Sequence, residues 1–322
     1  MATSITSSTY AGEFAGQYIA AALLEGKTIA NGGITVKPNV KFKEVIKKLS
    51  TDDLVEDANC NFLDSVTVTT SERILQPKEL QVNLTLCKAD FRDDWEAVQM
   101  GFSAYDNLPP NFTDFLLAHI AAKVAQRTEN SIWTGDEGTD GQFDGLTTLL
   151  SEDTALPAAN EITTGTTITA GNVIDELGSI VDAIPSALYG SEDLYIYVSQ
   201  NIARAYVRAL GGFGSITSNA GANGVDNKGT LWYGMGQDLA FDGVKLFVAN
   251  GLANNTAIAA EKSNLYFGTG LLSDHNEVKV IDMADIDGSQ NVRVVMRFTA
   301  GVQYGVVEDI ITYGITNSVN PS

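Results

Sequence analysis

The stretch that most constrains this chain is NFTDFLLAHIAAKVAQRTENSIW, Asn111 to Trp133. Leu108-Pro109-Pro110 cannot carry a helix into it, because proline clashes with the preceding turn and pushes its predecessor toward extended backbone. A helix therefore starts after the prolines, with Asn111 as N-cap and Asp114 in the first turn, at the positive end of the dipole. Phe112, Leu116, Ile120, Val124 and Ile132 fall on one four-residue row, widened by Phe115, Leu117, Ala121, Ala122 and Ala125. Gly135 closes the pattern. At about 1.5 Å per residue the rod is roughly 34 Å long and needs material packed along its whole length. Phe112, Phe115, Leu116, Ile120 and Val124 are its expected core contacts. His119, Lys123 and Arg127 form the solvated or partner-facing edge.

Charge narrows the function classes. The formal net charge is -20, from 20 Lys+Arg and 40 Asp+Glu, which argues against a sequence-specific DNA reader. The basic residues are unevenly placed: Lys37, Lys41, Lys43, Lys47 and Lys48 lie within a single run. Cys60 and Cys87 are the only cysteines and give neither a disulfide framework nor a metal spacing, which fits a reducing compartment. The N-terminus has no basic segment followed by an apolar core, and no run is long enough to cross a bilayer as a helix.

Around the rod the chain reads as follows. Residues 1–9 form a polar arm, and Tyr10–Leu24 a short amphipathic helix closed by Gly26. Residues 34–92 read as a two-stranded excursion, with alternation at Ser65–Thr70 and Leu80–Leu86 and too little apolar surface for a core of its own. Asp93–Phe102 is a short helix. From Thr147 to Gly270 the pattern alternates α and β: a helix Val173–Ile184 capped by Asn172, a strand Leu194–Ser199, a helix from Gln200 capped by Ser199, and strands at Val244–Val248 and Leu265–Phe267. Gly211–Gly236 is a glycine-rich loop. Val278–Met283, Asn291–Ala300 and Val302–Tyr313 read as three strands, joined by an Asp285–Gly288 turn and a break at Gly301. Val292, Val294, Met296 and Phe298 share one face; Arg293, Val295, Arg297 and Thr299 share the other. The long helix is the natural cover for the apolar face.

Motifs for catalysis are missing: there is no GxSxG, GxxxxGK[ST] or HExxH, and no GxGxxG between a strand and a helix. Asp136, Glu137, Asp140 and Asp144 lack EF-hand spacing and read as a solvated glycine turn, as do Asp282, Asp285 and Asp287. His119 and His275 have no nucleophile partner in a recognisable pattern.

The order of these parts resembles the major capsid protein of tailed bacteriophages, the Hong Kong 97 type fold, over nearly the whole chain. Three stretches carry the resemblance: ENSIWTG (129–135) with FDGL (143–146), GQDLAFDGVKLFVANGL (236–252), and VVMRFTAGVQYGVVEDIITY (294–313). The resemblance implies an α+β fold with an N-terminal arm (1–33) and an extended β loop (34–92). A peripheral domain would span 93–149 and 271–322, holding the spine helix and a sheet, with an α/β axial domain inserted at 150–270. It implies a structural protein, not an enzyme, with no catalytic residue, cofactor or metal. Copies would assemble through pentamers and hexamers into an icosahedral shell that encloses double-stranded DNA without sequence specificity. Its other partners would be a portal and, since Met1 sits directly before the arm, a separate scaffolding protein, with assembly without one as the alternative. Assembly would occur in the bacterial cytoplasm, with residence in the virion and no membrane.

On that reading the five lysines of the excursion, Lys37, Lys41, Lys43, Lys47 and Lys48, reach carboxylates of a neighbouring copy. The competing reading of the run is a solvated face that keeps a β excursion soluble. Two other functions fit the same residues: an encapsulin-like nanocompartment, which usually has a shorter loop, and an α/β enzyme or binding protein using Gly211–Gly236 over a pocket.

Overall fold

The structure, a computed structural model, describes residues 27–51, 67–87, 110–162, 167–211, 239–270 and 279–317, with side chains in the long helix described from Ile120 onward. The expected helices at Tyr10–Leu24 and Asp93–Phe102, the glycine stretch beyond Gly211, and the side chains of Phe112, Phe115 and Leu116 lie outside those residues. Thirteen strands are labelled in chain order: β1 Thr35–Lys37, β2 Glu44–Thr51, β3 Val68–Leu75, β4 Lys78–Cys87, β5 Glu161–Ile162, β6 Leu194–Val198, β7 Ala240–Phe241, β8 Val244–Val248, β9 Ala257–Glu261, β10 Leu265–Gly268, β11 Lys279–Asp282, β12 Asn291–Tyr304 and β13 Ile311–Tyr313.

The first sheet is built on β12. Its period-two alternation puts Val292, Val294, Met296, Phe298, Ala300, Val302 and Tyr304 on one buried face. Its first ten residues pair antiparallel with β4, from Asn291 opposite Cys87 to Ala300 opposite Lys78. β11 pairs along the other side, Lys279 opposite Val295. The remainder of β12 pairs with β10, which is parallel to β1.

Two expectations are corrected here. Leu80–Leu86 does not pair with the strand that precedes it: Leu80, Val82, Leu84 and Leu86 oppose Phe298, Met296, Val294 and Val292, a longer apolar match than the hairpin offers. The hairpin partner is instead β2, from Glu44 opposite Leu75 to Thr51 opposite Val68. Gly301 does not break the strand. A Cβ there would lie 2.9 Å from Pro77 Cα, so the glycine lets the Gln76–Pro77 backbone cross β12.

The second sheet has order β5-β13-β9-β6-β8-β7. Val302–Tyr313, expected as one strand beside the others, is divided. After Tyr304 the chain turns, pinned where Asn264 Oδ1 accepts from the Gly305 and Val306 amides at 3.1 and 2.7 Å, and β13 joins the second sheet. This sheet separates two apolar clusters: Ile196 and Ala259 face helices Val173–Asp182 and Gln200–Gly211, while Tyr197, Ile258 and Ala260 face the long helix and first sheet. Burial on both faces explains its near-continuous apolar strands.

The long helix runs Pro110–Thr134, about 38 Å at 1.5 Å per residue. It includes Pro110, as suits a first-turn proline, so Asn111 lies inside the helix and is not its N-cap. Asn172 stands at the start of its helix, but its Oδ1 accepts from the Thr169 amide and hydroxyl and caps nothing downstream. The Asp285–Gly288 turn is a single helical turn, Ala284–Asp287, closed by Gly288 at φ +71°. Val124, Ile132 and Trp133 of the long helix pack with Met296 and Phe298, the cover expected for β12. Ile120 is buried as well.

An aspartate at Ile120 would place an uncompensated charge in that buried position. Ile120→Asp is expected to lower stability by roughly 3 kcal/mol or more, read from the denaturant midpoint. A variant with the wild-type midpoint would remove the helix from its structural place.

Candidate interaction surfaces

The β2–β3 hairpin has two unlike faces. Glu44, Ile46 and Lys48 share the inner face with Leu75, Arg73 and Ser71; Val45, Lys47 and Leu49 share the outer with Ile74, Glu72 and Thr70. The inner face is seated on the body. Leu75 is fully buried against Gly268, where a Cβ would meet it at 2.9 Å. Arg73 pairs with Asp153 and lies over the Tyr304 ring, 4.5 Å from its centroid. Tyr304 Oη donates to Asp153 Oδ2 at 2.7 Å, and the Ala155 amide donates to Oδ1 at 2.8 Å. Lys48 pairs with Glu308 at 2.6 Å.

These contacts set the titration of the seat. Burial pushes the Asp153 carboxyl up, but the Ala155 amide, the Tyr304 hydroxyl and Arg73 outweigh it and hold the group below its ordinary value. Burial likewise raises Glu308, and Lys48 with the backbone amide overrides it downward. Beside it Asp309 is pushed up by burial and by the charges of Glu261 and Glu308.

Among the described residues the outer face has no such partners. On it Leu49 is 68% exposed and Val68 58%, with Val45 and Ile74 also exposed, a stripe of apolar side chains; Phe42, two residues before β2, is 70% exposed. The five sequence-predicted lysines divide. Lys37 pairs with Glu44 and lies over the Tyr266 ring, and Lys48 pairs with Glu308, so these two have partners within the chain. Lys41, Lys43 and Lys47 are exposed and make no ion pair with a described carboxylate; Lys43 lies 5.5 Å from the Phe42 ring centroid. At the hairpin root a cleft of about 250 Å³ opens between Pro77, Phe143, Leu149 and Val302, with Lys78 and Glu137 at its rim.

The acidic turns serve local structure. Asp136 Oδ1 accepts from the Gly138 amide at 2.8 Å and Asp144 Oδ1 from the Glu137 amide at 2.7 Å. Asp282 and Asp287 accept from the Ala284 and Ser289 amides. Of the basic row on the long helix, Lys123 and Arg127 are exposed, and Arg127 donates to the Asp140 carbonyl.

Sequence reasoning missed a buried polar junction. Glu129, 1% exposed, accepts from both the amide and the hydroxyl of Thr28, and Trp133 Nε1 donates to that hydroxyl at 2.8 Å. The available signal was a carboxylate one helical turn before a buried tryptophan, on the face that packs. Arg73, Asp153, Tyr304 and Glu308 were missed too, since nothing in sequence links positions so far apart.

The seat gives a pH expectation. Both carboxyls titrate below their ordinary values when folded. Their contribution is therefore complete above the unfolded value, about 4, and is lost as pH falls through the lowered folded value. The melting temperature is expected to drop from about pH 5 to about pH 3, and to drop less in Asp153→Asn, which starts lower at neutral pH. Parallel profiles for the two proteins would sink this account of the seat.

No protein-family model matches the sequence, and no curated protein matches it. Comparison with solved structures finds similar folds along nearly the whole chain. The capsid of a native GTA particle is 14% identical, covers 97% of this chain and 94% of its own, with a TM-score of 0.59. The capsid of Cyanophage A-1(L) is 12% identical over 92% and 95%, TM-score 0.59, and that of Cyanophage P-SCSP1u is 15% identical over 94% and 92%, TM-score 0.54. This chain has the mixed α+β fold of those capsid proteins.

Proposed function

We propose that this chain is the building block of a closed shell: a major capsid protein whose copies assemble through pentamers and hexamers into an icosahedral container for double-stranded DNA. The observation that carries the reading is a fold shared end to end with capsid proteins, with no large part of either chain left over. The hairpin supports it: its inner face is held by the body, its outer face offers apolar surface and Lys47, and the exposed Lys41 and Lys43 precede it in the chain. A shell reuses such a surface at every symmetry-related contact.

In this reading residues 1–33 are an arm and 34–92 an extended loop whose return strand, β4, is built into the peripheral sheet. Residues 93–149 and 271–322 form the peripheral part, and 150–270 the axial part, whose sheet takes in β13. Lys41, Lys43 and Lys47 are the intersubunit cations, directed at carboxylates of a neighbour; Lys37 and Lys48 keep their in-chain partners. A separate scaffolding protein and a portal are the further partners, with assembly in a bacterial cytoplasm and final residence in the virion. The role is structural and not enzymatic.

Electron microscopy of the purified full-length chain tests the proposal: closed particles or rings support it, and a monodisperse monomer at high concentration overturns it. Shells with protein cargo in place of DNA would turn the reading toward a nanocompartment. Lys41→Glu, Lys43→Glu and Lys47→Glu together are expected to leave circular dichroism unchanged and to abolish assembly. Each exposed pair contributes only about 0–1 kcal/mol, but the contact recurs in every copy. Shells of wild-type yield and salt tolerance would remove the lysines from the interface.

A further inference from the structure

The outward face of the first sheet runs against the charge of the chain. The register places Arg293 between Ile281 of β11 and Thr85 of β4, Val295 between Lys279 and Asn83, and Arg297 beside Gln81. Arg293, Arg297 and Lys279 are exposed, as are Gln81, Asn83 and Thr85. The one carboxylate on the paired strands of this face is Glu79, opposite Thr299 at its far end. Asp287, in the turn before β12, feels the Arg293 charge but is held by Ser289. Neither arginine forms an ion pair with a described carboxylate. Acids outnumber bases 40 to 20 in the whole chain, yet among the described residues of this face the exposed cations outnumber the acids.

We infer that this face docks a carboxylate-bearing surface of a second copy of the chain, at a contact separate from the hairpin. Two arginines four residues apart on one strand stand roughly 13 Å apart on a rigid ladder. The guanidinium fork matches carboxylate geometry bidentately, and the Gln and Asn amides between strands supply further donors. The occupant follows from charge: a neighbouring copy presents mostly carboxylates. Duplex DNA would meet the same cations, so its binding is measured as a separate outcome. This inference rests on the shell reading and names a second surface for it.

The test compares the full-length chain with Arg293→Glu/Arg297→Glu and Arg293→Lys/Arg297→Lys, by sedimentation velocity across protein and salt concentration. Binding of a fluorescent DNA duplex is measured in parallel. The glutamate pair is expected to keep wild-type circular dichroism and to need about tenfold more protein to assemble, with a weaker salt response; the lysine pair falls between. If the glutamate pair misfolds, Arg293→Gln/Arg297→Gln gives the same reading with a smaller shift. Assembly of the folded variants at the wild-type concentration and salt tolerance overturns the inference and leaves the shell reading standing. Duplex binding that depends on these arginines, with assembly unchanged, makes nucleic acid the occupant and also overturns it. A wild-type chain that never self-associates overturns both.

Discussion

The crowding at the C-terminal end of the long helix sets the position of everything else. Glu129 and Trp133 lie where the 27–37 segment, the long helix, the turn after Gly135 and the loop after β8 meet. No atom can be added there. A Cβ on Gly251 would sit 2.3 Å from the Glu129 carbonyl oxygen, and one on Gly135 2.1 Å from that of Phe143. The Trp133 ring packs at a tilt against Tyr197, centroids 5.1 Å apart, and the Tyr197 hydroxyl donates to the Gly33 carbonyl. Thr35 then donates to the Lys262 carbonyl as β1 joins β10. One buried junction thus fixes the helix against both sheets. A carboxylate at its centre is tolerable because its oxygens receive hydrogen bonds from Thr28; an unsatisfied polar group there would cost about 1–3 kcal/mol.

Sequence made the periodic elements legible and left the non-local ones dark. The long helix and the two faces of β12 follow from spacing alone, because burial of one face imposes the period. β9, Ala257–Glu261, carries no strand signal: it is mostly alanine, yet it lies between β6 and β13 with both faces covered. Alanine is chosen there for close approach of packed layers, which depends on neighbours and not on local propensity. Gly301 misled for a related reason, since its cause is the crossing of Pro77, over two hundred residues earlier. The divided use of the lysines was equally out of reach. Lys48 and Lys47 are adjacent, but strand alternation turns one toward Glu308 and the other outward, and only the register with β3 decides which.

The hairpin and the body are held by different physics. The body's two clusters bury many large side chains, each contributing about 1.5–3 kcal/mol. Against it the hairpin sets one fully buried leucine and three ion pairs between partly buried groups, with a cleft beside its root. Pairs of that exposure contribute little individually. A two-stranded ribbon alone is marginal in water, so the hairpin depends on this inner seat. An apolar outer stripe on so lightly held an element makes sense when another surface completes it.

Association of copies that each carry a charge of -20 looks self-defeating until distances are compared. At physiological ionic strength the Debye length is about 8 Å, so the summed charge of two bodies is screened well before their surfaces meet. What remains at contact is local, and the cations are gathered locally: Lys41, Lys43 and Lys47 around one hairpin, Arg293, Arg297 and Lys279 on one sheet face. In the proposed shell, acidic patches meeting at short range would disfavour copies approaching in other orientations. On the shell reading, therefore, local cation and carboxylate patches, and not the net charge, would select among contacts.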